Sequence, residues 1–245
     1  MSSHYRIGTS GWMYSHWAEV FYPQGLPRDQ WFRLYATQFN TVELNATFYR
    51  LPQVKTCQRW HDAAPEAFRY SVKVSRFITH IKRLHDCGDA LENFLARVRH
   101  LGDRLGPLLY QLPPGLHRND ELLQGFLRLL PTELAHVFEF RHGSWFAEEV
   151  VSLLCEHHVG FCVHDYEQLT PPLARTALFA YVRLHGPTGR YAGSYSREQL
   201  QDWAEKISQL GEGAGEVYVY FNNDIGAHAV HNARELAGLL ASLEP

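Results

Sequence analysis

The sequence predicts an α/β fold, a single (β/α)8 TIM-like barrel occupying residues 1–245 as one domain. Three observations carry that expectation. Eight short segments rich in β-branched and aromatic residues recur along the chain, each followed by a loop and usually by a helical pattern. Such crossovers are what parallel neighbouring strands require. Within these segments the residues alternate in character. Phe138 and Phe140 alternate with Glu139 and Arg141, Val42 and Leu44 with Glu43 and Asn45, and Val72 and Val74 with Ser71 and Lys73. Phe161 and Val163 alternate with Cys162 and His164, and Val182 and Leu184 with Arg183 and His185. Successive side chains on a strand face opposite ways, so one face is greasy and the other carries charges and amides. A doubly wound open sheet would read apolar on both faces. A closed barrel instead has an interior whose layer at the strand C-termini is polar. The length, 245 residues, is usual for one such barrel.

The elements follow in order. Tyr5–Thr9 is a first strand that runs into Gly8, Gly11 and Trp12, and an aromatic loop from Trp12 to Pro27 follows. That loop leaves the C-terminal end of its strand, so it is expected over the barrel mouth. Asp29–Phe39 has helical spacing through Trp31, Leu34 and Tyr35, and Thr41–Asn45 is the second strand, leaving by a loop to Pro52. A helix over Lys55–Ala64 is stopped by Pro65. Arg69–Val74 is the third strand, Ser75–His85 is irregular, and Asp89–Leu101 is an amphipathic helix. Pro107–Leu112 is the fourth strand, ended by Pro113 and Pro114, which cannot continue a ladder. Asn119 or Asp120 caps a helix through Leu130. The fifth strand opens at His136, and Trp145–His157 is its helix. Gly160–His164 is the sixth strand. Asp165–Thr176, with Pro171 and Pro172, is too short for a full crossover helix, so unit six has a short or missing one. Leu178–His185 is the seventh strand, followed by a glycine-rich loop over Gly186–Gly193 that contains Arg190. Ser196 caps a helix to about Leu210, Glu216–Phe221 is the eighth strand, and Ala227–Leu243 is the closing helix.

Composition narrows the function classes. Hydrophobic residues make up 45% and charged ones 20%, enough for a sizeable core and against global disorder. A formal net charge of -3 leaves no global basic footprint for nucleic acid, although a local basic groove stays open. No leader pattern precedes the first strand and no apolar run reaches membrane-span length. Cys57, Cys87, Cys155 and Cys162 show no CxxC spacing. A soluble cytoplasmic protein with reduced thiols and no membrane association is expected; nothing in the sequence addresses its oligomeric state.

Several motifs together resemble the YecE-like family, also called domain of unknown function 72. They are Ile7-Gly-Thr-Ser-Gly-Trp12 with Tyr14, Trp17 and Phe21-Tyr22-Pro23; Glu43-Leu-Asn-Ala-Thr-Phe-Tyr49; and Gln111-Leu-Pro-Pro114. The series continues with Glu139-Phe-Arg-His142 and Trp145, Arg183-Leu-His-Gly186, and Phe221-Asn-Asn-Asp224 with Gly226 and Ala227. Each motif is weak alone, but the set runs from Ile7 to about Ala233 and is specific. The resemblance implies a TIM barrel and an intracellular protein. It implies no reaction, so function has to be argued from the site.

The inward residues near the strand C-termini are the candidates. Glu43, Lys73, Glu139 and His185 are the expected catalytic groups, the carboxylates as general base, a histidine as acid, and Lys73 alternatively as an amine nucleophile. Trp12, Asn45, Tyr49, Gln111, Arg141, Trp145, Arg183, Asn222 and Asn223 are the expected substrate contacts. Trp12 and Trp145 are assigned to stacking on a base or sugar. Lys73, Arg141 and Arg183 set against two carboxylates leave room for an anion, and Arg offers a planar fork for phosphate or carboxylate. The expectation is therefore an enzyme with no cofactor and no metal, acting on a small anionic substrate, phosphorylated or nucleotide-like, by hydrolase or lyase chemistry. Three alternatives stay open. The charges form a purely structural network. His142, His164, Asp165, His185, His228 and Glu139 ligate zinc or manganese in a phosphodiesterase or endonuclease-like barrel. Or the chain is a non-catalytic module that binds nucleic acid or another ligand.

Overall fold

The computed structural model describes residues 4–187 and 191–243. Thr188, Gly189 and Arg190 of the expected glycine-rich loop lie outside the described residues. Eight strands, β1 (Tyr5–Thr9), β2 (Thr41–Leu44), β3 (Arg69–Lys73), β4 (Leu105–Gln111), β5 (His136–Glu139), β6 (Gly160–His164), β7 (Phe179–Leu184) and β8 (Glu216–Phe221), pair in parallel in the order β1-β8-β7-β6-β5-β4-β3-β2. The helices are α1 (Trp31–Gln38), α2 (Ala46–Tyr49), α3 (Val54–Ala63), α4 (Gly88–Val98), α5 (Asp120–Leu127), α6 (Glu148–Glu156), α7 (Arg197–Gly211) and α8 (His228–Leu243). This is the TIM-barrel-like arrangement that the strand–helix alternation predicts. No helix joins β6 to β7, as the short proline-bearing segment implies.

The barrel closes without a ladder between β1 and β2 among the described residues. A side chain spans that seam. The Tyr35 hydroxyl, from α1, accepts from Thr9 N at 3.0 Å and donates to Thr41 O at 3.0 Å, standing in for the missing strand-to-strand bond. Gly8 lets the two backbones come this close, because a Cβ there would sit 2.3 Å from Thr41 O. Tyr35→Phe is expected to lower folding stability by about 1–3 kcal/mol, since it strands a buried donor and a buried acceptor. Urea denaturation checks it, and an unchanged midpoint would show that the seam needs no bridge.

Strand parity sorts the side chains as expected. Val42, Leu44, Val72, Val74, Phe138, Phe140, Val182 and Leu184 join the helices in one hydrophobic cluster outside the barrel. Leu109, Val137, Cys162, Tyr181, Tyr218 and Tyr220 form a separate cluster within it. The lower lumen is therefore filled by aliphatic and tyrosine side chains, and the hydroxyls find partners there. Tyr220 Oη lies 2.6 Å from Thr41 Oγ1, and Tyr181 Oη lies 2.6 Å from Ser71 Oγ. An Arg6–Glu216 ion pair closes the strand N-terminal end, and the larger charged layer lies above, at the C-terminal end.

Local chemistry sets the helix starts. The Asn119 side chain accepts from Leu122 N at 3.0 Å, and Ser196 with Gln199 forms a reciprocal capping box. Some boundaries differ from expectation. The loop after β2 folds into the short helix α2, because the Thr47 hydroxyl reaches the carbonyls of Leu44 and Lys73, 2.9 and 2.7 Å away, and pulls the turn over both strand ends. Phe77–Ile81 forms a π-helical turn inside the stretch expected to be irregular. The helix expected from Trp145 begins at Glu148, preceded by a separate 3-10 turn over Gly143–Trp145. Among the described residues no helix is long and apolar enough to cross a membrane, and all four cysteines are free thiols.

Candidate active site at the barrel mouth

Arg183 is the hub of the polar layer. It extends from β7 with no exposed side-chain surface and bonds Glu43 Oε1 at 2.7 Å through Nη2 and Glu139 Oε2 at 2.5 Å through Nη1. One planar fork thus reaches across the lumen to β2 and β5, which a lysine ammonium would not match. Glu43 is further satisfied by Ser10 Oγ at 2.8 Å and by the Tyr181 hydroxyl at 2.8 Å. Arg141, just beyond β5, pairs through Nε with Glu139 Oε1. Burial works to raise the Glu139 carboxyl, but Arg141 and Arg183 outweigh it and hold that group well below the usual carboxylate range. Two guanidinium groups therefore meet two carboxylates in a balanced network.

His185 follows β7 and is buried against these cations. Its Nε2 lies 2.8 Å from Arg141 Nη2 and 3.2 Å from Arg183 Nη1, so that nitrogen is the acceptor and the ring is neutral. Burial, then Arg141 and Arg183, drive its pKa well below the ordinary histidine value. Asp165 holds the other edge: its Oδ1 accepts from His185 N at 2.6 Å, and its Oδ2 accepts from the Tyr195 hydroxyl, which in turn accepts from Gly186 N at 2.7 Å. The sequence pattern singled out His185 and Asp165 but not the bonds that join Asp165 to His185 N and Tyr195.

Lys73 ends β3 and stands apart from the network. Its Nζ lies 4.4 Å from the centre of the Phe48 ring, and among the described residues no carboxylate comes within ion-pair distance of it. Burial first, then Arg183 and Arg141, lower its pKa to about 7 from the usual 10.5, despite the opposing pull of Glu139 and Glu43. The amine lines a cavity of about 530 Å³ with Tyr14, Asn45, Tyr49, Asn222 and Asp224. Burial also raises the Asp224 carboxyl. The same positive field is felt at His80, lowered to about 4 by burial and then by Lys73, Arg76, Arg141 and Arg83.

The structure brings Glu43, Glu139, Arg141, Arg183 and His185 together in the buried layer, and Lys73, Asn45, Tyr49 and Asn222 around the cavity. The long loop after β1 reaches this mouth through Tyr14. Other expected contacts sit elsewhere. Trp12 packs edge-on against Phe32 and Trp60, and Trp145 stacks on Phe140 while donating to Leu116 O at 2.7 Å. Those placements bury both rings in the shell around the barrel, because aromatic neighbours on the helical side offer them more contact than the mouth does. Gln111 Nε2 bonds the adjacent Leu112 O at 3.2 Å, and Asn223 ties Gly193 O at 2.8 Å to Asn232 Oδ1 at 3.0 Å. Tyr14, Asp224, Ser10 and Tyr181 are additions, and Asp165, considered only as a metal ligand, instead supports His185. Tyr181 shares parity with Arg183, so its inward direction was legible; Asp224 follows the end of β8, the usual position for site residues.

Among the described residues no three His, Cys, Asp or Glu side chains group to hold a metal ion. Two of the histidines named as ligands are engaged otherwise. His164 Nε2 lies 2.8 Å from Phe140 O while its Nδ1 accepts from Tyr166 N at 3.2 Å, and His142 stacks on His117 with ring centres 3.9 Å apart.

Neutral buried histidines give the protein an acid-sensitive stability. His164 and His136 are each lowered to about 4 from 6.5, in both cases mainly by burial. Between those values the unfolded chain binds more protons, so stability falls as pH drops through that window. Each group should contribute a loss on the order of 1–2 kcal/mol between about pH 7 and about pH 5. Urea denaturation at the two pH values, repeated with His136→Asn, checks the sign and the share of one ring; a flat profile would contradict neutral burial.

A parallel eight-stranded barrel, with an Arg–Glu layer beneath an amine-bearing mouth, is a TIM-barrel-like α/β protein. The chain belongs to the family described as Protein of unknown function DUF72, whose profile matches residues 6–244. UPF0759 protein YunF of Bacillus subtilis strain 168 is 27% identical over 269 residues, spanning 96% of this chain and 94% of that protein. UPF0759 protein YecE of Escherichia coli K12 is 29% identical over 221 residues, 76% of this chain and 80% of YecE. The crystal structure of a DUF72 family protein from Thermotoga maritima MSB8 superposes with a TM-score of 0.89 at 30% identity, covering 97% of this chain and 99% of that one. A DUF72 family protein from Enterococcus faecalis V583 gives a TM-score of 0.85 at 21% identity, with 97% and 95% coverage, and shares the fold.

Proposed function

We propose that the chain is an enzyme whose mouth cavity binds a small substrate carrying phosphate or carboxylate, and that it acts by hydrolase or lyase chemistry with Lys73 as the reactive side chain. The observation that carries this reading is the Lys73 amine, which lines the cavity with no carboxylate partner among the described residues. Glu43 and Glu139 are consumed by Arg183 and Arg141, so the protonated lysine is a surplus charge that an anion would balance. Arg141 Nη1 is buried without a hydrogen-bond partner among the described residues, and its charge reaches Lys73. Asp224 would oppose an anion when ionised; its raised pKa reduces that opposition. Glu43 and Glu139 act in this reading as the support that orients Arg183 and Arg141.

Calorimetric titration with inorganic phosphate tests the reading. Heat of binding is expected for the native protein, weakened roughly tenfold or more by Arg141→Gln, on the scale of removing a charged partner. Tight manganese or zinc uptake that depends on His164 or His185, with indifference to phosphate, would instead point to the metal-dependent chemistry.

One observation favours a second reading, a nucleic-acid surface. Tyr49 is 73% exposed and Phe77 46% exposed at the mouth, and exposed Arg50, Arg76 and Arg83 lie on the same two strand-end segments. Rings and cations in that mixture suit a single strand. A short single-stranded oligonucleotide in the same calorimeter separates the two: binding lost with Tyr49→Ala but kept in Lys73→Met belongs to the rim.

A further inference from the structure

We infer that Lys73 forms an imine with the carbonyl group of a small aldehyde or ketone that also carries a carboxylate or phosphate. This deepens the anion-binding reading and rests on it for the second group of the substrate. Geometry singles this amine out. The chain has four lysines, Lys55, Lys73, Lys82 and Lys206. Lys55 and Lys206 are exposed on helices, and Lys82 donates to Asp86 O at 2.7 Å. Lys206 packs on Trp203 and borders a smaller surface cavity, but of the four only Lys73 lies at a strand C-terminus, where it packs on Phe48 and faces a cavity with room for a small metabolite. Its position is fixed, because the Thr47 hydroxyl donates to its carbonyl at 2.7 Å and ties the strand end to α2.

The chemistry follows from that placement. An amine attacks only as the free base, and the burial and neighbouring guanidinium groups that lower its pKa to about 7 keep a large part of it unprotonated at neutral pH. The Nζ lone pair attacks the carbonyl carbon, the C–N bond forms, and the π pair moves to oxygen. A proton passes from nitrogen to that oxygen, giving a carbinolamine. A second proton lets the hydroxyl leave as water while the nitrogen lone pair closes the C=N bond. The balance is one amine, one carbonyl and one proton giving one iminium and one water. Asp224 lines the same cavity and is the carboxyl placed to relay that proton from solvent. The iminium keeps the positive charge, so the charge match with the anionic group of the substrate survives the step.

Borohydride trapping tests the inference on the full chain. Pyruvate and dihydroxyacetone phosphate are each incubated with the protein, sodium borohydride is added, and intact mass and peptide mapping locate the secondary amine. A single adduct on Lys73 is expected, favoured roughly tenfold or more over the other lysines, since a lysine of ordinary pKa is almost wholly protonated near neutral pH. Lys73→Arg should abolish it with an unchanged circular dichroism spectrum. Labelling spread evenly over Lys55, Lys82 and Lys206, or no adduct with either compound, overturns the inference. Phosphate binding without an adduct leaves the anion site standing and removes the imine. An adduct on Lys73 that inorganic phosphate fails to compete supports the imine and removes the anion site.

Discussion

Arg183→Ala is expected to cost about 3–5 kcal/mol of folding stability, the scale of breaking a buried ion pair from one side. Arg183, Glu43 and Glu139 all have fully buried side chains, so the carboxylates left behind stay shielded from bulk solvent. Glu43 would keep Ser10 and Tyr181, and Glu139 would keep Arg141, but each carboxylate would lose its share of the central cation. Arg183→Lys should recover part of the loss, since an ammonium is a point charge and cannot bridge β2 and β5 as the planar fork does. Replacing the central pair together, with Arg183→Met and Glu43→Gln, should cost less than Arg183→Ala alone, because Glu139 keeps Arg141 and no uncompensated charge remains. Urea denaturation of the three variants measures the series. A loss under about 1 kcal/mol for Arg183→Ala, the size of a surface ion pair, would show that this layer does not hold the barrel together.

Lys73→Met is expected to act in the opposite direction on stability while removing anion binding. The native fold takes an amine out of water without giving it a counter-charge, and its pKa is lowered as a result. The sign follows from that: near neutral pH the unfolded chain holds this proton more tightly than the folded one, so the lysine costs stability there, and less as pH rises. Methionine keeps an unbranched apolar stem for the Phe48 ring and forgoes a cation–π contact of about 0.5–1 kcal/mol. A net gain of about 1 kcal/mol is expected in urea denaturation near neutral pH, the trade of stability for function that reactive sites show. Phosphate binding should weaken by roughly tenfold or more in the same variant. A destabilised Lys73→Met that binds phosphate normally would mean that the lysine is a packing residue.

Period two explains why the sequence revealed so much of this arrangement. Each strand makes a single binary choice of register, and the apolar partners of Glu43, Lys73, Glu139, Arg141 and Arg183 leave only one choice that buries Val42, Val72, Phe138, Phe140 and Val182 under helices. The glycine-rich loop after β7 could likewise be located from its punctuation: Gly186, at φ +104, has no room for a Cβ beside Ala192 O. What each charge pairs with was not legible. Glu43 and Arg183 are 140 residues apart, and only closure of the barrel brings them together. The Tyr35 bridge stayed hidden for the same reason, because a tyrosine at helical spacing reads as ordinary core. Trp12 and Trp145 show the reverse failing. Their positions near strand ends were legible, but the direction of each ring depends on aromatic neighbours from distant helices and loops.

The surplus cation at the mouth is open to direct titration. With lysine side chains isotopically labelled, nuclear magnetic resonance follows the Lys73 amine, assigned by its absence in Lys73→Met, across pH with and without inorganic phosphate. A pKa near 7 is expected in the free protein, moving upward when phosphate binds, because an anion favours the charged amine. A pKa near 10.5, the ordinary lysine value, and no response to phosphate would contradict both the desolvated amine and the anion site built around it.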